Sequence, residues 1–236
     1  MRNRPIPKLQ DADQAYIRKL LIHEDPEYLV FNKPSGFPVQ TRGNRGRNLD
    51  HLLWAFARSN GKRPRLVHRI DTGTSGLVIA AKTHPVAVYL SSQFAERRVK
   101  KTYLAVVRCA KGCDENGTID APLKSREKRP PKTEVNEQGR PATTHWRQLD
   151  QADTYALLEV RPITGRMHQI RAHLAHIGMP LLGDNLYGGP VAPRLMLHAL
   201  RLSFTDTQGV SREHEASPGE DFKSLCAHYG LTYFAP

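Results

Sequence analysis

Apolar residues along this chain fall into short continuous runs and helix-spaced sets, separated by turn chemistry. YLVF at 28–31 is a run of strand length, ended by NKPSG, where Pro34 and Gly36 supply a turn. Asn48 precedes Leu49, Leu52, Leu53 and Phe56, which recur at i, i+3, i+4 and i+7; the spacing predicts a helix with one buried face and Asn48 as its cap. LVIAA at 77–81 reads as a buried strand. Thr83 then caps a helix whose Val86, Tyr89, Leu90 and Phe94 face inward. YLAVV at 103–107 and YALLEV at 155–160 are further strands, and KSREKRPPK at 124–132 is expected to be a loop. A helix is expected over 166–177, with Met167, Ile170, Leu174 and Ile177 on one side, Arg166, Gln169, His173 and His176 displaced from it, and Gly178 as its stop. Phe222, Leu225, Cys226 and Tyr229 mark a last amphipathic helix. Residues 1–15, polar and proline-punctuated, are expected to be an arm, and 16–236 one domain. Strands and helices are interspersed without strict alternation, which favours an α+β fold with a mixed, largely antiparallel central sheet flanked by helices.

Charge narrows the partners. Thirty-five basic against 23 acidic residues leave a formal charge of +12, which favours a polyanion such as nucleic acid. The excess is clustered: TRGNRGRN at 41–48 carries three arginines, suited to following a phosphate backbone or simply to a solvated loop, and RRVKKTY at 97–103 holds four cations without an acid. No apolar run approaches the roughly 20 residues of a membrane span, and MRNRPIPKLQ is not followed by the apolar segment of a secretory signal; a cytoplasmic location is expected. Cys109, Cys113 and Cys226 are too few for a disulfide framework, and no second Cys/His pair completes a zinc site.

Two polar clusters stand out. HRIDTGTSG at 68–76 sets His68, Arg69, Asp71, Thr72 and Ser75 between apolar runs, with two glycines to permit tight turning. Alone it reads equally well as a hydrogen-bonded turn in which Asp71 caps neighbouring amides and Arg69 pairs with it. In RPITGRMHQIRAHLAH at 161–176, a cation at the start of a helix opposes the dipole, which points to a task for Arg166 such as pairing with a carboxylate or phosphate. His173 and His176 lack an acidic or Cys partner and read as structural histidines.

Taken together, the segments resemble the RluA-type pseudouridine synthases. NKPSG at 32–36, HRIDTGTSGLVIAAKT at 68–83, KKTYLAVV at 100–107, PITGRMHQIRAHLAHIGMPLLGDNLYG at 162–188 and LMLHA at 195–199 follow one another in that family's order. The family usually has Leu where this chain has Ile70, and its variable pair after the Asp is here Thr72 and Gly73. The resemblance implies a single pseudouridine-synthase catalytic domain, needing no cofactor or metal, that isomerises uridines in a structured RNA, a stem-loop of rRNA or tRNA. By the same resemblance Asp71 would be the catalytic carboxylate and Arg166 its ion-pair partner. An opposite charge about 4 Å away is worth on the order of 4 kcal/mol at intermediate dielectric. Tyr103 would lie against the target base, and Arg69 would enter the space vacated when the uridine is extruded. Lys33, Lys100, Lys101 and Arg171 are candidate RNA phosphate contacts. A monomer is the default. The rival readings are a non-catalytic RNA-binding protein or chaperone on the same fold, and a uracil glycosylase or nuclease.

Overall fold

The computed structural model describes residues 9–41, 46–109, 114–126 and 131–233. The chain forms two compact units, one from the described residues of Met1–Val99 with Ser203–Ala216, the other from Lys100–Leu202 with Ser217–Pro236.

The first unit is built on β2 (Tyr28–Lys33) and β4 (Ser75–Ala81), paired antiparallel with Lys33 opposite Gly76 and Tyr28 opposite Ala81. Every residue of β4 is buried, as its continuous apolar run requires. β1 (Leu21–Glu24) pairs with β2, and the short β3 (Arg65–Leu66) with β4. β12 (Ser211–Glu215) pairs with β11 (Leu197–Thr205), whose last three residues belong to this unit.

The first helix corrects the expected arm: α1 (Asp11–Leu20) covers much of residues 9–15 and beyond, while residues 1–8 lie outside the described set. Asp11 and Asp13 in its first turn and Arg18 and Lys19 in its last complement the helix dipole. Ile17 is fully buried against Leu29, Phe31, Leu49 and Leu52, burial worth about 2 kcal/mol. Asn48 caps α2 (Leu49–Leu52) by accepting from the His51 amide at 2.8 Å, as expected, but the helix tightens at once into a 3-10 turn over Leu53–Phe56. Thr83 caps α3 (His84–Ala95) in the same way.

The second unit is a run of strands in the order β11, β5 (Lys100–Arg108), β10 (Tyr155–Pro162), β9 (Thr143–Ala152) and β6 (Asn116–Asp120). Every pairing detailed here and in the first unit is antiparallel. One face packs Val107, Leu158, Val160 and Trp146 against Ile170 and Leu174 of α4 (Gln169–His176); the other packs Leu104, Val106 and Leu157 against Phe222 and Cys226 of α5 (Glu220–His228). The Cys226 thiol is pushed up to about 12 by burial, whereas Cys109, at the end of β5, is disulfide-bonded rather than free. The stretch expected as a loop at 124–132 is instead mostly strand: β7 (Leu123–Arg126) and β8 (Lys132–Val135) pair antiparallel, with 127–130 outside the described residues. Gly183 sits at φ +80°, where a Cβ would fall 1.8 Å from the Arg194 carbonyl oxygen, so only glycine fits there. The expected α+β class is what the molecule shows.

Candidate active site

Asp71 lies in the loop 67–74 that connects β3 to β4, and it is half-buried between exposed Arg69 and exposed Thr72. The antiparallel register explains why a distant motif reaches this loop: with Lys33 opposite Gly76, the turn NKPSG is delivered beside residues 72–74. There the Lys33 ammonium donates to the carbonyls of Pro34 (2.9 Å), Phe37 (2.8 Å) and Thr72 (3.1 Å), and the Ser35 hydroxyl donates to the Gly73 carbonyl at 2.6 Å. The Thr74 amide closes the turn on the Asp71 carbonyl. Behind the loop, His68 Nε2 accepts from the Ile79 amide at 3.0 Å while its ring stacks on Phe94, so His68 is framework. Lys33 was expected to meet RNA phosphate; it is fully buried and its donors serve the loop instead, because a buried ammonium has to be matched by acceptors inside the fold.

In the second unit the residues of the other motif come together. Tyr103 and Lys101 stand two apart on β5 and share a face; Tyr103 pairs with Val160 on β10 and is half-buried against the core. Lys101 donates to the Thr164 carbonyl at 2.9 Å, which ties it to the loop holding Arg166. Lys100 is exposed.

Arg166 precedes α4 rather than beginning it. The helix starts at Gln169, because His168 takes a left-handed conformation (φ 53°, ψ 22°) that interrupts the expected run. Met167 and Ile177, expected on the buried side, are 39% and 40% exposed, whereas Ile170 and Leu174 are buried. Arg166 therefore does not oppose a helix dipole; its loop is held by side chains. Its amide donates to Gln169 Oε1 at 3.0 Å, and the Thr164 hydroxyl donates to the same oxygen at 2.6 Å. Gln169 Nε2 donates in turn to the Thr143 carbonyl and to Thr144 Oγ1, both at 3.0 Å. The Thr144 hydroxyl then donates to His173 Nδ1 at 2.8 Å, because His173 Nε2 must carry its proton to reach the Ala121 carbonyl at 2.9 Å. Burial holds the His173 pKa below the ordinary histidine value, which keeps this ring neutral and the directions of the chain fixed.

Arg171 departs from its expected role. Its guanidinium forms a two-pronged ion pair with Asp184, Nε to Oδ2 at 2.7 Å and a terminal nitrogen to Oδ1 at 2.8 Å. The Asp184 side chain is wholly buried, so this is an internal strut and not a phosphate contact. Tyr187 lies against it, its hydroxyl donating to the Thr133 carbonyl and accepting from the Thr133 amide, which fastens β8 to α4. Among the described residues no cluster of three or more His, Cys, Asp or Glu is placed to hold a metal. Sequence reading missed Ser35, Thr144, Thr164, Gln169 and His173 as the supports of the two loops. The available signal was Gln169 and His173 four apart, polar residues sharing one helix face.

This fold, with an aspartate on a braced loop and an arginine on a second, is that of a known class of RNA-modifying proteins. Residues 27–176 match the family described as RNA pseudouridylate synthase, and the chain belongs to it. The dual-specificity RNA pseudouridine synthase RluA of Escherichia coli is 36% identical over 192 residues, 79% of this chain and 86% of that protein. The ribosomal large subunit pseudouridine synthase D of Haemophilus ducreyi is 36% identical over 177 residues, 73% of this chain and 54% of that protein. The chain thus spans about half the length of relatives of that second kind. Among solved structures, human RNA pseudouridylate synthase domain containing 4 superposes with a TM-score of 0.78 at 23% identity, over 94% of this chain and 98% of that one, a likeness of fold. The corresponding domain containing 1 gives 0.70 at 26% identity, over 84% of this chain and 82% of that one.

Proposed function

We propose that this protein isomerises uridines of a structured RNA to pseudouridine, with Asp71 as the reacting carboxylate. The reading is carried by one observation: Asp71 sits on a loop whose backbone is fixed by a buried ammonium and a hydroxyl, in a chain that belongs to the family over residues 27–176. Isomerisation breaks the N1–C1′ bond, turns the base, joins C5 to C1′, removes the C5 proton and returns a proton to N1. A carboxylate serves the first step because it answers positive charge developing at C1′ or bonds to it. Exposed Arg69 is suited to fill the space left by an extruded base, since such extrusion costs a few kcal/mol of stacking. Tyr103 lies against that base, and Arg166 is the counter-charge of the carboxylate. Lys100, exposed, and Lys101 contact phosphate. The substrate is ribosomal RNA, after the printed names of the relatives. The protein acts in the cytoplasm as a monomer.

The test is tritium release from RNA labelled at uridine C5, with unmodified rRNA and tRNA pools tried separately. Wild type should release tritium from rRNA; Asp71→Asn should release none while its RNA affinity stays within a few-fold. Tight binding without release by wild type would leave a non-catalytic RNA binder, and free uracil in the products would mean a glycosylase.

A further inference from the structure

A second feature lies at the other end of β4 from Asp71. The strand leaves the catalytic loop at Thr74 and ends before Lys82, which at about 3.3 Å per residue separates the two points by roughly 25 Å. Around Lys82, α1, the end of β1 and the segment after the 3-10 turn enclose a cavity of about 400 Å³. Its walls include Arg18, Arg58, Lys82, Glu24, Phe56 and Pro26, all within the first unit.

Glu24 is already committed, its carboxylate taking the Lys82 ammonium at 2.7 Å. Neither Arg18 nor Arg58 has a carboxylate partner among the described residues, so three cations against one anion leave two guanidinium charges in excess around one concavity. The Arg18 guanidinium lies over the Phe56 ring, 5.4 Å from its centroid, and so offers a flat cationic plane backed by an aromatic one. A base stacks on such a plane as it does on an aromatic ring, and a second arginine nearby is suited to the two-pronged hold on a phosphate. The last turn of α1 favours cations for its own sake, but that accounts for Arg18 alone and not for Arg58, which lies beyond any helix.

We propose that this cavity is a second RNA contact, which binds one nucleotide of the strand, phosphate to Arg58 and base against Arg18, about 25 Å from the uridine being modified. The partner class rests on the RNA reading above. The contact requires no chemistry at Asp71, so binding and turnover test it separately.

The experiment measures the affinity of the full chain for an unmodified large-subunit rRNA transcript across a salt series, alongside tritium release at saturating RNA. Arg18→Glu with Arg58→Glu should weaken binding about tenfold, and Arg18→Gln with Arg58→Gln, which removes charge without adding repulsion, should lower the salt slope by about two, one per lost phosphate contact. The rate at saturating RNA should not change. Equal affinity and slope in wild type and both double variants overturns the contact. Displacement of the RNA by micromolar uridine monophosphate also overturns it, assigning the cavity to a free nucleotide. If the variants bind weakly as stated but even wild type releases no tritium, the synthase reading falls and the RNA contact stands. If all release tritium and bind alike, the reverse holds.

Discussion

The loop that carries Asp71 and the loop that carries Arg166 are braced by opposite means. Loop 67–74 is held from a neighbouring strand end by a cation and a hydroxyl acting on its carbonyls: Lys33 on Thr72, Ser35 on Gly73. Loop 163–168 is held from within its own helix by neutral groups, a relay from the Arg166 amide through Gln169 and Thr144 to His173. The first brace is a point charge, indifferent to the direction of any one hydrogen bond. The second is directional throughout, and it works only while one imidazole keeps its proton on Nε2. Two residues proposed to serve the same reaction therefore depend on their surroundings through different physics, and they should fail under different perturbations.

The largest effect is expected at Lys33. Lys33→Met keeps the volume but leaves three carbonyls without a donor, which should cost about 3 kcal/mol in urea unfolding and sharply lower isomerisation in the fraction that remains folded. A variant as stable as wild type would mean that the brace carries no load. Next, Gln169→Leu removes the centre of the relay. A stability loss of about 2 kcal/mol should come with a fall in kcat at unchanged RNA affinity, since the loop of Arg166 loses its anchor while the RNA-facing cations stay. Loss of affinity with normal kcat would contradict that assignment. The smallest effect is in pH. The folded His173 pKa lies below its unfolded value near 6.5, so the unfolded chain binds the proton first. The stabilisation is complete above about pH 6.5 and drains away as pH falls towards the folded pKa. His214, lowered to about 4 by burial and by His23 beside it, adds the same sign over the range from about 6.5 to 4. Thermal midpoints measured between pH 7 and 5 should fall less steeply for His173→Gln, which can still accept from Thr144 and donate to Ala121, than for wild type.

Local signals read from the sequence held where local physics decides. Asn48 and Thr83 cap helices because a polar cap before an apolar period is a short-range matter, and the buried runs at 28–31, 77–81 and 103–107 are strands. The helix α1 was hidden because its buried side is short: Ile17 alone is fully enclosed, and the polar residues ahead of it read as an arm. The start of α4 was misplaced by one left-handed residue, His168, which no propensity marks. Among the site residues, the identity of the cations was legible but their destination was not. Lys33 and Arg171 look like phosphate ligands in a basic chain, yet one faces three carbonyls and the other a buried Asp184; only tertiary placement separates an internal cation from a surface one.

Strand β4 has a further consequence. Seven consecutive buried residues, pinned on one side by the register with β2, leave it no freedom to stretch or slip. With a reacting carboxylate before its first residue and a guanidinium-lined cavity past its last, the strand acts as a ruler. An RNA would then be admitted by the distance between two of its nucleotides as folded, and a transcript carrying the right sequence in the wrong shape would reach one end of the strand and miss the other.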